Sequence, residues 1–326
     1  MERGIDRHKA WRLQYRGERY LRDLSISELS ARAGDLMTAS LGHSEDGKIA
    51  LGPAVEDVSK MERFTHVLEE FVIRGVDHRQ PGVLEALQAP KPNSPKVRRA
   101  LQALAGRSWP NPVLVKFGER KHMASLFLEG KGRISLARTY KDPSLGRARA
   151  DDESQITVYV HPADAHRLMA IEHDPSGGSR GVSVDVPYLG SVKVGLRANS
   201  DFYVYCMAES CDVRMFDDFT TPTSDVDTCV VVTRPSEFKA RLLEAIAAGA
   251  PGWSPLDGPV VYVDPFFSRV HQLAPQLCKH FRFEYQREYR LLWLSPEPDD
   301  AGRPAPPDHV YFDLGPLTNC AKLIWL

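Results

Sequence analysis

The sequence predicts an α+β protein, in which a helical N-terminal module over residues 1–108 precedes a domain of mixed or antiparallel sheets over residues 109–326. Apolar residues recur at helical spacing before residue 108, and short apolar runs of β type follow one another after it. Few helices interrupt those runs, and Gly, Pro and Asn breaks suit hairpins better than parallel crossovers. In the first part, Met61, Phe64, Leu68, Phe71 and Val72 share one helix face that Gly75 ends. Asp23 to Gly34 gives a second helix with Ser25 or Ser27 as cap, and Lys96 to Gly106 a third after APKPNSP. From Trp109 the order becomes strand VLVKF, helix HMASLFLEG ending at Gly130, and strand RISLART. Strands are then expected at QITVYVH, within GVSVDVPYLGSVKVGLR, and at DFYVYCMAES, DTCVVVT and GPVVYVD. Helices are expected over SEFKARLLEAIAAGA from a Ser236 cap to Gly249, over FFSRVHQLAPQLCKHF, and over AKLIWL.

The 326 residues, 42% of them hydrophobic, are enough to fill a sizeable core. Lys plus Arg (42) nearly balances Asp plus Glu (43), so no global field draws the chain to nucleic acid or to anionic lipid. The opening residues are charged throughout, and no apolar run of about 18 residues occurs, so a cytoplasmic protein without a membrane segment is expected. Cys206, Cys211, Cys229, Cys278 and Cys320 form an odd, irregular set that reads as buried free thiols rather than as a zinc site.

The stretch FRFEYQREYRLLWL, 281–294, reads as one strand. With a period of two, Phe281, Phe283, Tyr285, Tyr289, Leu291 and Trp293 share a face that only Arg287 spoils. Arg282, Glu284, Gln286, Glu288 and Arg290 share the other, which looks either into water or across a cleft. The same alternation suits any half-exposed antiparallel strand.

Gly-rich phosphate loops, a Gly-x-Ser-x-Gly elbow and a His-Glu-x-x-His helix are all missing, which removes the commonest nucleotide-hydrolase, redox and peptidase motifs. What remains is Gln286-x-Glu288 on a late strand. Together with strand VLVKF, a helix, Gly130 and strand RISLART, it resembles the core of the ADP-ribosyltransferase fold. The C-terminal part also resembles an uncharacterised bacterial family of unknown function found near phage-defence and mobile-element genes. Its members likewise pair an early Lys/Arg-aromatic strand with a late Glu-Tyr-Arg strand.

The resemblance implies transfer of ADP-ribose from NAD, as substrate, to a macromolecular acceptor, in a toxin or phage-defence setting. It makes Glu288 the catalytic carboxylate and Gln286 its partner, and puts Lys116 where an Arg for the dinucleotide is expected. Ser135 or Thr139 is then the pocket hydroxyl, Arg138 or Tyr140 lines the dinucleotide channel, and Arg120 and Arg138 are substitutes for the missing Arg. Lys116 is a departure, because an ammonium lacks the bidentate fork of a guanidinium. A carboxylate beside the ribose suits the oxocarbenium-like charge that grows as the glycosidic bond breaks, and Arg290 or Arg282 on its face favours the ionised form. Two other readings stay open. One is a metal-dependent nuclease using Asp151, Asp152, Glu153 and His161. The other is a non-enzymatic module whose N-terminal helices bind a partner.

Overall fold

The computed structural model describes residues 6–44, 48–51, 58–77, 94–146, 148–149, 152–160, 168–173, 179–184, 192–198, 200–268, 273–296 and 306–326. The first part holds α1 (Arg7–Glu18), α2 (Ile26–Ser40), β1 (Leu41–His43), β2 (Ile49–Leu51), α3 (Val58–Ile73) and α4 (Pro95–Leu104). Then come β3 (Leu114–Gly118), α5 (Arg120–Glu129), β4 (Lys131–Leu136), β5 (Gln155–Val160), β6 (Leu168–His173), β7 (Ser179–Val184), β8 (Val192–Arg197) and β9 (Phe202–Ala208). They are followed by α6 (Arg214–Asp218), β10 (Thr228–Val232), α7 (Pro235–Gly249), β11 (Ser254–Pro259), β12 (Val261–Val263) and β13 (Cys278–His280). The last strands are β14 (Glu288–Leu294), β15 (His309–Asp313) and β16 (Ala321–Trp325).

The chain is α+β, and its sheets are antiparallel apart from the small parallel pair β12–β13. Its main sheet runs β11-β14-β9-β3-β10-β16, with β4 joined to both β9 and β15. β9 and β10 are central because FYVYCMA and TCVVV offer apolar side chains to both faces, and all but Cys206 of these residues are buried. On one face α7 lays Phe238, Leu242 and Ile246 against Tyr205, Trp293 and Phe312. On the other, Phe117, Val231 and Ile324 pack with Phe216 of α6 and Ala100 of α4. Gly130 ends α5 at φ 75°, and a Cβ there would lie 2.1 Å from the Gly315 carbonyl oxygen, so only glycine fits this crossing.

The three N-terminal helices α1 to α3 make their own cluster around Tyr15, Leu21, Leu29, Leu36, Val67 and Phe71, which also takes in Phe281. Ser25 caps α2 in a reciprocal box with Glu28. From the middle of α2, Arg32 pairs with Asp264 through two bonds of 3.0 Å. Both groups are buried, and Arg63 adds a third bond of 3.1 Å. This fork fixes the helices to the loop after β12, and the Arg32 guanidinium lies over the Phe266 ring at 4.5 Å.

Several expected elements differ. AKLIWL is not a helix but β16, antiparallel to β10, because its apolar residues fill the open edge of that strand. FFSRVHQLAPQLCKHF is a turn at Pro265–Phe267, a single 3₁₀ turn at Pro275–Leu277 and strand β13, with 269–272 outside the described residues. Phe266 and Phe267 are instead held by ring contacts with Tyr20 at 5.8 and 5.1 Å. α7 starts at Pro235 after Arg234 rather than at Ser236, since proline's fixed φ suits the first helical position. The hairpin β1–β2 interrupts the helical N-terminal part. Among the described residues no helix is long and apolar enough to cross a membrane.

Arg32→Met is expected to cost about 3–5 kcal/mol of unfolding free energy, because it strips the buried Asp264 of its bidentate partner. Urea unfolding of the two proteins measures it.

Candidate functional site

FRFEYQREYRLLWL is two structures rather than one strand. Phe281–Gln286 is a 3₁₀ helix, Arg287 adopts the left-handed conformation at φ 42°, and only Glu288–Leu294 is strand. The residue that spoils the apolar alternation is the one where the chain turns. Consequently Glu284, Gln286 and Glu288 do not form a row. Glu284 turns to Lys60 of α3 at 2.6 Å, and Arg282 lies 3.9 Å from Asp35 of α2. The 3₁₀ turn packs on α2 through Phe281, which puts the N-terminal helices directly behind the site.

The site opens where the main sheet divides. β9 pairs with β4 at Tyr203 and Val204 and with β3 at Ala208, so among the described residues Tyr205, Cys206 and Met207 have no ladder partner on that edge. β3, α5 and β4 thus frame a gap, and in it lies a cavity of about 1140 Å³. That is somewhat above the roughly 300–1,000 Å³ usual for small-molecule sites. Lys116 spans the division: its Nζ donates to the Cys206 carbonyl at 2.7 Å and lies 4.2 Å from the centre of the Tyr205 ring. An edge carbonyl that a continuous sheet would satisfy is satisfied by a side chain.

Glu288 stands at the inner wall of this cavity, and its surroundings fix it on every side. Its N–H donates to the Tyr262 hydroxyl at 2.7 Å, and its carbonyl accepts from Val260 N–H at 2.9 Å. One carboxylate oxygen accepts from Lys279 Nζ and the other from Arg290 Nε, both at 2.7 Å. Arg290 and Lys279 in turn contact Glu153, so two acids and two cations form one buried cluster. Burial opposes ionisation of Glu288, but the two cations outweigh it and hold the carboxyl far below the usual carboxylate range. The Cys206 thiol beside it is pushed well up by burial and by Glu288 and Glu153, so it stays protonated and unreactive. Tyr140, on the same wall, is likewise held as the neutral phenol by burial.

Of the residues singled out from the sequence, Glu288, Gln286, Lys116, Ser135, Thr139 and Tyr140 all line the cavity. Gln286 acts there as a clamp, its amide donating to the Ala148 carbonyl at 2.9 Å. Ser135 meets His309 Nδ1 at 3.0 Å, and the Thr139 hydroxyl donates to the Leu136 carbonyl at 2.7 Å. Arg120 and Arg138 are not brought in. Arg120 turns to Asp227 and the Leu326 carbonyl. Arg138 pairs with Asp201 and Asp308, each at 3.0 Å.

For the nuclease reading, Asp151 and His161 lie outside the described residues. Asp152 pairs with Lys141 at 3.0 Å, and Glu153 faces Arg290 and Lys279. Among the described residues no group of three His, Cys, Asp or Glu is placed to hold a metal ion. The sequence reading missed Lys279, Glu153 as a partner of Arg290, and Arg149, which also lines the cavity. Of the two arginines expected beside Glu288, Arg290 meets it from two residues on along the strand, whereas Arg282 turns to Asp35. Comparison of the chain with protein-family models, curated proteins and solved structures found no match.

Because the folded pKa of Glu288 lies below its unfolded one, its contribution to stability is present above about pH 5 and is lost as pH falls through and below about 4. The stability difference between wild type and Glu288→Gln is therefore expected to be flat above about pH 5 and to shrink below it. Urea unfolding across that range measures it.

Proposed function

We propose that the protein transfers ADP-ribose from NAD to a macromolecular acceptor in the cleft between β3, α5 and β4. The observation that carries this reading is an ionised, rigidly held Glu288 on the wall of a cavity large enough for a dinucleotide. In the step, the bond between the ribose carbon and the nicotinamide nitrogen breaks, and nicotinamide leaves with the electron pair. An acceptor nucleophile then gives its own pair to the ribose carbon and releases its proton to water. Positive charge grows on the ribose between these events, and a fixed carboxylate stabilises it.

Lys279 and Arg290 take one lone pair of each Glu288 oxygen, while a carboxylate has about four acceptor sites in all. The remaining sites suit ribose hydroxyls. Held this far below neutrality, Glu288 orients and stabilises charge rather than carrying protons. Ser135, Thr139 and Tyr140 supply further polar contacts along the wall. The acceptor and a toxin or phage-defence setting belong to the same proposal, and the setting is supported by the sequence resemblance alone.

Purified protein is expected to release nicotinamide from NAD and to label an acceptor pool of protein, RNA or DNA with ADP-ribose. Glu288→Gln should lower the rate by about a hundredfold or more. Because this substitution disturbs a buried cluster, its circular dichroism and unfolding midpoint are measured beside the rate. A folded Glu288→Gln protein at the wild-type rate, or a wild type that leaves NAD intact with every pool, overturns the proposal. Full activity in chelator is expected, whereas a metal-dependent nuclease would lose it.

A further inference from the structure

Lys116 and Arg149 differ from the other lysines and arginines that line the cavity, of which Lys279 is ion-paired with Glu153 and Glu288, Lys131 with Glu129, and Arg133 is exposed. Lys279 and Arg290 are matched by Glu153 and Glu288, two charges against two, so that cluster balances itself. Lys116 and Arg149 have no carboxylate partner of this kind among the described residues. Lys116 donates to the Cys206 carbonyl, and Arg149 donates through Nε to the Leu145 carbonyl at 3.2 Å. Both are half-buried in the wall of the same cavity. Carboxylates act on them only through space, Glu288 on Lys116 and Glu119 on Arg149. Burial pulls the pKa of each cation down, and Arg149 pulls that of Lys116 down further. Two half-buried cations thus line one cavity with no carboxylate in contact with either among the described residues, although Glu119, Asp142, Glu153, Glu288 and Asp313 also line it, and an anion beside them would offset the cost of burying their charge.

We infer that Lys116 and Arg149 form a binding site for a phosphate or diphosphate group inside the cavity, with Arg149 supplying the guanidinium that neither Arg120 nor Arg138 brings there. Among the described residues the guanidinium uses only Nε, toward Leu145, which leaves its two Nη groups for the anion. Lys116 adds a point charge from the floor of the gap. Arg149 belongs to the segment that Gln286 clamps through Ala148, so the anion site and the Glu288 wall are mechanically joined. The inference depends on the proposed transfer reaction only for which molecule bears the phosphates.

Titration calorimetry with inorganic pyrophosphate, ADP-ribose and NAD tests it on the full chain. Wild type is expected to bind all three, with pyrophosphate competing against ADP-ribose. Lys116→Gln and Arg149→Gln should each weaken ADP-ribose binding about tenfold or more, and Arg149→Lys should recover part of the loss. Arg149→Gln should not unfold more easily, because it removes a cation without an acid partner, whereas Lys116→Gln should lower the midpoint because it also takes the donor from the Cys206 carbonyl. Their unfolding midpoints check this, and Arg149→Lys keeps the test open if one of them fails to fold.

Absence of pyrophosphate and ADP-ribose binding to wild type, or unchanged affinity in folded Gln variants, overturns the anion site. NAD binding that needs Arg149 but never leads to cleavage leaves the anion site standing and sinks the transfer reaction. NAD cleavage with an unaltered KM in both Gln variants does the reverse.

Discussion

The buried cluster of Glu153, Lys279, Glu288 and Arg290 is the constraint on which the architecture of the site depends. Charges taken out of water are tolerated only when each finds its counter-charge with good geometry. Here the four groups come from separate places: the segment before β5, strand β13, and two positions on β14. None of those elements can shift without stranding an ion. The cluster therefore ties the small parallel pair β12–β13 to the main sheet and fixes the position of Glu288 at the cavity wall.

A second constraint follows from how β9 is used. One strand edge serves β4 at one end and β3 at the other, and the residues between are left without a ladder among the described residues. Such a division is costly unless the freed backbone groups find other partners. Lys116 gives the Cys206 carbonyl a donor, and the space created becomes the cavity. Structural need and candidate chemistry converge on the same lysine. α5, which connects the two diverging strands, closes one side of the gap, and the glycine at its end permits the close crossing with Gly315.

Much of this was legible from local pattern. The helix–strand order, the Gly130 stop and the Ser25 cap follow from propensity and turn chemistry acting within a few residues. Six of the eight residues chosen as site candidates line one cavity: Lys116, Ser135 and Glu288 lie on strands as expected, whereas Gln286, Thr139 and Tyr140 lie in 3₁₀ turns that adjoin those strands. The failures have physical reasons too. AKLIWL is too short for its apolar run to distinguish helix from edge strand, and pairing with β10 decided it. FRFEYQ alternates like a strand, yet Phe281 is drawn into the helical cluster and Lys60 captures Glu284, which the 3₁₀ turn allows. The interruption at Arg287 was visible as a break in the pattern, but a left-handed arginine has no strong sequence mark.

The sequence by itself determined the α+β class, the framing order of strand, helix and strand, and a late strand carrying a carboxylate with an arginine two residues on. These depend on side-chain period and local backbone preference, which act over short stretches. Only the tertiary structure decided which cations meet that carboxylate and which, among the described residues, contact no acid. Glu153 lies more than a hundred residues from Arg290 along the chain, yet the fold brings them together. Arg120 and Arg138 were nearer in sequence to the expected position, yet surface acids claimed both, and Arg149 took the cavity wall. Ion pairing is decided by distance in space, and no local pattern encodes it.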